Sequence, residues 1–229
     1  MSDIQTYIHN LLTPLSGSPK HGTIDWAIPS LTTAACAIAF NPIYWNIVAA
    51  AEYRTHFLTK IFRNPYYGCY FLAFTIFSLG ILRDHLFNAA LDEQPVYPPV
   101  HMPRTGAVAF IIGQTLVLSS MWALGVTGTY LGDYFGILMD DMVEGFPFNL
   151  WWAFGSPMYT GSTLCFLGTS LWKGRLAGLV LTGFVAVMYV IALRFEDPFT
   201  AEIYAQKAAK EAKQDAGKRQ TRAASKKKA

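Results

Sequence analysis

Charge is scarce in this chain. Asp, Glu, Lys and Arg make up 14% of its 229 residues, where soluble domains run near a quarter. An ordinary water-exposed surface over most of the sequence is excluded. Cysteine is scarce as well. Cys36, Cys69 and Cys165 are odd in number, lie in apolar segments and show no CxxC spacing. Neither a disulfide framework nor a zinc site is indicated, and small buried side chains are the plainer reading. The first residues lack the charged start, apolar core and small-residue cleavage site of a signal peptide. The one strongly basic segment, 205–229, contains no aromatic residue, which argues against nucleic acid as a partner.

What the sequence has is apolar length. It is 52% hydrophobic and 15% aromatic, as expected where Trp and Tyr line membrane interfaces. Residues 26–51 are uncharged but broken by Pro29 and Pro42, so they either span or dip into one leaflet. Residues 65–82, 105–132 and 145–172 are further apolar runs, the last interrupted by Pro147 and Pro157. Residues 176–193 are the clearest span. The expectation is an all-α, polytopic integral membrane bundle of four to five hydrophobic helices. It divides into an N-terminal surface or interfacial segment (1–24), a membrane domain (25–204) and a basic tail (205–229).

Net charge is +3, but unevenly spread. The tail carries nine Lys or Arg against two Asp or Glu, and reads as a disordered cytosolic segment beside anionic lipid. Its last residues, Lys226-Lys227-Lys228-Ala229, also fit a dilysine retrieval signal of the endoplasmic reticulum. Basic residues set orientation. With five crossings, the first loop (Arg54, Lys60, Arg63), the 133–156 connector and the tail share the cytosolic side.

Three words place Asn or Ser before Pro and Tyr shortly after: Asn41-Pro42-Ile43-Tyr44, Asn64-Pro65-Tyr66-Tyr67 and Ser156-Pro157-Met158-Tyr159. They read as helix starts, with a capping side chain followed by Pro in the first turn. Gly128, Gly132 and Gly136 are spaced i, i+4, i+8, one bare face if helical, suited to close helix packing or to a flat ligand. Asp133, Asp140, Asp141 and Glu144 follow. Glu196 and Asp197 come directly after the last apolar run, where they oppose the helix dipole. A chain needing only an anchor there favours Lys or Arg. The acidic pair asks for a cationic or hydroxyl-rich partner.

The words themselves resemble a known family. Gly128-Thr129-Tyr130-Leu131-Gly132-Asp133-Tyr134-Phe135-Gly136-Ile137-Leu138 is similar to the connector of phosphatidylethanolamine N-methyltransferases. So are Phe146-Pro147-Phe148-Asn149, Pro157-Met158-Tyr159, Gly161-Ser162-Thr163, Phe40-Asn41-Pro42, Tyr44-Trp45-Asn46 and Leu116-Val117-Leu118-Ser119-Ser120. The ending Glu196-Asp197-Pro198-Phe199-Thr200-Ala201-Glu202-Ile203-Tyr204 is close to that family's signature. The resemblance covers roughly residues 38 to 207. It is strongest to the short phospholipid methyltransferases that complete phosphatidylcholine synthesis.

The resemblance implies S-adenosylmethionine as methyl donor and a phospholipid drawn from the bilayer as acceptor. It implies an endoplasmic reticulum membrane, with a mitochondrial membrane as second location. The family's donor site falls on Ile111-Ile112-Gly113, where the usual first glycine is Ile111, and on Glu196-Asp197. Those two places lie toward opposite ends of the expected bundle unless 156–172 dips without crossing. A second layout builds the pocket from Gly128 to Asp133, Tyr159 and Glu196-Asp197, as in isoprenylcysteine carboxyl methyltransferases. Asp133 and Asp141 are the candidate bases for the acceptor ammonium. Tyr130, Tyr134, Trp151 and Trp152 are candidates for its cation–π binding, and Arg54, Arg63 or Arg83 for the lipid phosphate. The rivals are methylation of a prenylated cysteine and a non-enzymatic membrane scaffold. Oligomeric state is left open.

Overall fold

The computed structural model describes residues 24–139 and 156–226. Asp140, Asp141, Glu144, Trp151 and Trp152 lie outside them. The described residues form α1 (Pro29–Thr55), α2 (Phe57–Phe62), α3 (Pro65–Glu93), α4 (Pro103–Thr129), α5 (Pro157–Lys173) and α6 (Leu176–Lys226), with 3-10 turns at Pro98–Val100 and Gly132–Phe135. No strand occurs among them. Four stretches are long and apolar enough to cross a membrane: Pro29–Thr55, Pro65–Glu93, Pro103–Phe135 and Leu176–Ala209.

Local chemistry sets the helix ends. Asn64 Oδ1 accepts from Tyr66 N at 2.8 Å and Pro65 opens α3. Pro157 opens α5, and Gly174, at φ 63°, closes it in the left-handed conformation. Glu52 is fully buried at the end of α1. Its carboxylate caps α2, accepting from Leu58 N, Thr59 N and the Thr59 hydroxyl. This buried acid is satisfied locally and serves the turn.

Five long helices alternate in direction. Asp25 N bonds Gln94 Oε1, Tyr97 N bonds Gly174 O and Met102 N bonds Leu171 O, which gathers the start of α1, the α3–α4 loop and the α5–α6 turn at one end. At the other end Phe199 of α6 packs against Tyr53 of α1 and Tyr134 of the 132–135 turn. Tyr159, near the start of α5, meets Glu196 there too. So α5 runs from one end to the other and does not dip back. The first loop, the connector and the far part of α6 share an end, as the five-crossing scheme expects.

The core joins Phe87 and Leu91 of α3, Phe166 of α5 and Leu181 and Val185 of α6. α4 packs chiefly on α5, and glycines set the spacing. A Cβ on Gly113 would lie 2.5 Å from Gly161 O, and one on Gly168 2.6 Å from Gly106 O. Only hydrogen at these positions lets the two backbones approach so closely.

Three expectations are corrected. Asn41-Pro42 does not start a helix but lies inside α1. Membrane helices tolerate an interior Pro, and the Pro42 ring removes only the donor that would otherwise meet the Ile38 carbonyl one turn back. Gly128, Gly132 and Gly136 share no helix face. α4 ends at Thr129, Leu131 turns left-handed at φ 60°, and Gly136 sits at φ 76°. Finally, α6 does not end near residue 193 but continues through Pro198 into the basic tail. Glu196 and Asp197 are therefore mid-helix, and no helix-end dipole opposes them.

Candidate active site

One cavity of about 1140 Å³ occupies the bundle. Its floor at the connector end is polar. Gly128, Asp133, Tyr159, Glu196 and Asp197 all line it, so positions taken from three separate words of the sequence meet in one place. Between α3 and α4 the wall carries a run of apolar side chains, Phe77, Ile81, Phe110, Val117 and Met121.

Glu196 is the most heavily bonded group of the floor. Only 9% of it is exposed. Its Oε1 accepts from Trp45 Nε1 at 2.7 Å and Asn46 Nδ2 at 3.0 Å, and its Oε2 accepts from the Tyr159 hydroxyl at 2.7 Å. Three donors from two other helices hold the carboxylate in place, which is the condition for keeping a charge in a buried site. Tyr159 stacks on Trp45 on one side and on Tyr189 on the other, at centroid distances of 6.2 and 4.6 Å. Asp197, next along α6, is exposed and has no such holders.

Asp133 belongs to the 3-10 turn that follows α4. Its Oδ2 accepts from the Thr200 hydroxyl at 2.7 Å and its Oδ1 from Tyr134 N at 3.2 Å. A carboxylate accepts about four hydrogen bonds, so Asp133 retains capacity toward the cavity. The chain leaving the turn is tied to α6, where Tyr204 Oη bonds Met139 N and Lys207 Nζ bonds Met139 O.

Ile111, Ile112 and Gly113 are placed differently. Ile111 and Ile112 point outward, 63% and 48% exposed. Gly113 faces α5 at the level of Gly161, two residues beyond Tyr159 in that helix. The depth mismatch that the sequence raised is therefore small. The mismatch is in facing: the neighbours Phe110 and Gln114 line the cavity, while residues 111–113 do not.

Sequence reasoning gave no site role to Trp45, Asn46, Asn41, Tyr189 or Thr200. Trp45 and Asn46 sat inside a matched word with no role attached. Asn41 offered a signal: a polar side chain midway along an apolar run is costly in a membrane unless it is used. It is 2% exposed, lines the cavity, and its Oδ1 has no partner; Thr129 Oγ1 is likewise unpartnered in the same wall. Among the described residues no group of His, Cys, Asp and Glu could hold a metal ion.

A helical membrane bundle with a carboxylate floor at one end and an apolar slot leading from it is built to act on an amphiphile at the membrane surface. Residues 102–207 match the model of the phospholipid methyltransferase family. The chain is 63% identical, over 85% of its length and 95% of the relative's, to a phosphatidyl-N-methylethanolamine N-methyltransferase of Emericella nidulans. It is 53% identical to one of Saccharomyces cerevisiae, over 81% of this chain and 90% of that one. To a human phosphatidylethanolamine N-methyltransferase it is 46% identical, over 82% and 94%. The chain belongs to the phospholipid methyltransferase family and is a multi-pass membrane enzyme. No solved structure matches it.

Proposed function

We propose that the protein transfers methyl groups from S-adenosylmethionine to the amine of phosphatidylethanolamine derivatives, the mono- and dimethylated forms above all, yielding phosphatidylcholine. The observation that carries this reading is the meeting of Asp133, Glu196 and Asp197 in one cavity that continues into an apolar slot. A carboxylate floor suits a cationic donor and a cationic acceptor, and the slot suits acyl chains.

The residues present fit the donor. Asn41 Oδ1 and Thr129 Oγ1 are buried polar atoms with no partner in the cavity wall, and buried polar atoms without partners are costly. An adenosyl group brings the donors and acceptors they lack. Glu196 and Asp197 balance the donor's positive charge or accept from its ribose hydroxyls. When bound, the donor supplies an electrophilic methyl on sulfur.

The chain's own residues do the rest. An alkylammonium titrates near ~10 and presents no lone pair until it loses a proton. Asp133 accepts that proton, steadied by Thr200 through Oδ2. Asp141, outside the described residues, is the second candidate base. The aromatic faces of the wall, Tyr130 among them, hold a methylated ammonium by cation–π attraction. Holding donor and acceptor in line accounts for much of the acceleration. The common end of the first loop, the connector and α6 is assigned to the cytosol, in the endoplasmic reticulum or a mitochondrial membrane.

The test uses purified protein and S-adenosylmethionine labelled in its methyl group. Unmethylated, mono- and dimethylated phosphatidylethanolamine are offered side by side, with a prenylcysteine acceptor as a separate arm. Label in the phospholipids is expected. Label in prenylcysteine alone, or in nothing, overturns the reading.

A further inference from the structure

An arginine sits deep in the bundle, one of the three that the sequence offered for the lipid phosphate. Arg83 lies on α3, within the stretch Pro65–Glu93 that is long and apolar enough to span. Its side chain is 12% exposed. Charged side chains inside membranes are rare and usually mark a substrate path or a pair. Arg83 does have a pair, its sequence neighbour Asp84, through Nε at 2.9 Å and Nη2 at 2.8 Å. That partner is itself 55% exposed, and exposed pairs contribute little. The pair alone does not explain a guanidinium held at this depth.

The other contacts aim Arg83 at the cavity. Nη1 donates to the Tyr189 hydroxyl at 2.8 Å, and that hydroxyl meets Ser162 Oγ at 2.9 Å. The guanidinium lies over the Phe166 ring, 4.9 Å from its centre. Arg83, Tyr189, Ser162 and Phe166 all line the cavity. A guanidinium carries five N–H donors. Three are engaged, two by Asp84 and one by Tyr189, and two are left.

The position relative to the polar floor is constrained. Tyr189 stacks on Tyr159 at 4.6 Å and 10°, and Tyr159 bonds Glu196. Arg83 is therefore separated from Glu196 by two stacked rings. In an aminoethyl phosphodiester, two carbons and one ester oxygen separate the amine from the phosphorus. Between the floor end and Arg83 the α3 wall is open. A Cβ on Gly80 would touch nothing, and Phe77 and Ile81 of α3 face Phe110 and Val117 of α4 across the cavity. α3 and α4 make little contact with each other. Amine site, cation and an apolar wall open between α3 and α4 share one cavity, as amine, phosphodiester and acyl chains share one lipid.

We infer that Arg83, held by Tyr189 and Asp84, binds the phosphodiester of the phospholipid acceptor entering between α3 and α4. This rests on the methyl-transfer reading and adds the subsite that selects a phospholipid over other amphiphilic amines. Asp84 leaves the pair neutral when the site is empty, and an arriving phosphodiester takes the remaining donors.

The experiment compares two acceptors with the same secondary amine and acyl chains. One carries the natural anionic phosphodiester, the other an uncharged methyl phosphotriester. Each is assayed with wild type, Arg83→Gln and Arg83→Lys, and binding of S-adenosylmethionine is measured separately. Wild type is expected to prefer the phosphodiester in kcat/KM by roughly ten- to hundredfold, the scale of charge-assisted hydrogen bonds. In Arg83→Gln the preference falls to near unity through a rise in KM for the phosphodiester, and Arg83→Lys restores part of it. Donor affinity stays unchanged. A merely structural arginine would lower both acceptors together and keep the ratio. A ratio that survives in folded Arg83→Gln overturns the inference. So does a lost donor affinity, which would give the guanidinium to the donor's carboxylate. A wild type that treats the two acceptors alike overturns it without any variant. If wild type methylates no aminophospholipid, the methyl-transfer reading itself falls.

Discussion

Trp45 and Glu196 lie 151 residues apart in the chain and meet through a 2.7 Å hydrogen bond in the cavity floor. The bond ties the first long helix to the last at the level of the proposed chemistry. Its second partner on the same oxygen, Asn46, is also from α1. Trp45 can only donate, and an amide side chain presents one accepting oxygen. In Glu196→Gln the amide oxygen takes the place of Oε1, and the amide nitrogen faces Tyr159, whose hydroxyl can turn to accept. Charge is removed while geometry is largely kept. The expected result is a thermal midpoint close to wild type with S-adenosylmethionine affinity lowered about tenfold or more. Adding Asp197→Asn abolishes binding. Isothermal titration beside a thermal melt checks both halves, and unchanged affinity in the double variant contradicts the assignment.

Trp45→Phe makes the opposite separation. It keeps the ring stacked on Tyr159 and removes the N–H from a buried carboxylate. Hydrogen bonds to charged groups contribute about 1.5–3 kcal/mol, so a loss of stability on that scale is expected in reversible unfolding in detergent micelles. Made in the Glu196→Gln background, Trp45→Phe is expected to cost less, because the bond it then removes ends on a neutral amide oxygen and not on a carboxylate.

Much of the architecture was legible in the sequence because the membrane imposes length and apolarity on every crossing helix. The five apolar runs follow from those demands. What failed to show was which side of a helix each residue takes. Asn41-Pro42 looks like Asn64-Pro65 as a word, yet one lies inside α1 and the other begins α3. The difference is what precedes them: Asn64 follows the left-handed Arg63 and caps α3, while Asn41 follows residues helical from Pro29 on. Asp133, Glu196 and Asp197 were legible as carboxylates at apolar boundaries. Trp45 and Tyr189 were not, since an aromatic residue in a membrane run has the same composition whether it faces lipid or a cavity.

Asp133 gives a prediction about pH. If it takes the proton from the acceptor ammonium, Asp133→Asn lowers kcat by roughly 10²- to 10⁴-fold near neutrality. Without the base, the variant depends on acceptor already deprotonated in solution. That fraction rises about tenfold per pH unit until the ammonium value near ~10, so variant activity climbs with pH more steeply than wild type. Thr200→Val, which removes only the bond to Oδ2, lowers kcat less and keeps the wild-type slope. Parallel pH–rate profiles for wild type and Asp133→Asn would reassign the base, with Asp141 next to test.

Gly113 tests packing against donor binding at a position that the family resemblance assigned to the donor. Its Cβ position lies 2.5 Å from Gly161 O and 2.9 Å from Cys165 N. Both are backbone atoms of α5 and cannot turn aside as a flexible side-chain end does. Gly113→Ala therefore forces α4 away from α5, and overpacking of this kind costs about 1–3 kcal/mol. Gly161→Ala presses on Gly113 O from the other side at 2.7 Å and should cost about as much. The helices separate once, so the double variant is less destabilised than the two added together. Donor affinity, measured on the folded fraction, is expected to change little in either variant, since neither side chain position faces the cavity. A folded Gly113→Ala protein that has lost S-adenosylmethionine affinity, beside a Gly161→Ala protein that keeps it, would place the donor against α4 and move the site from the cavity floor to the α4 backbone.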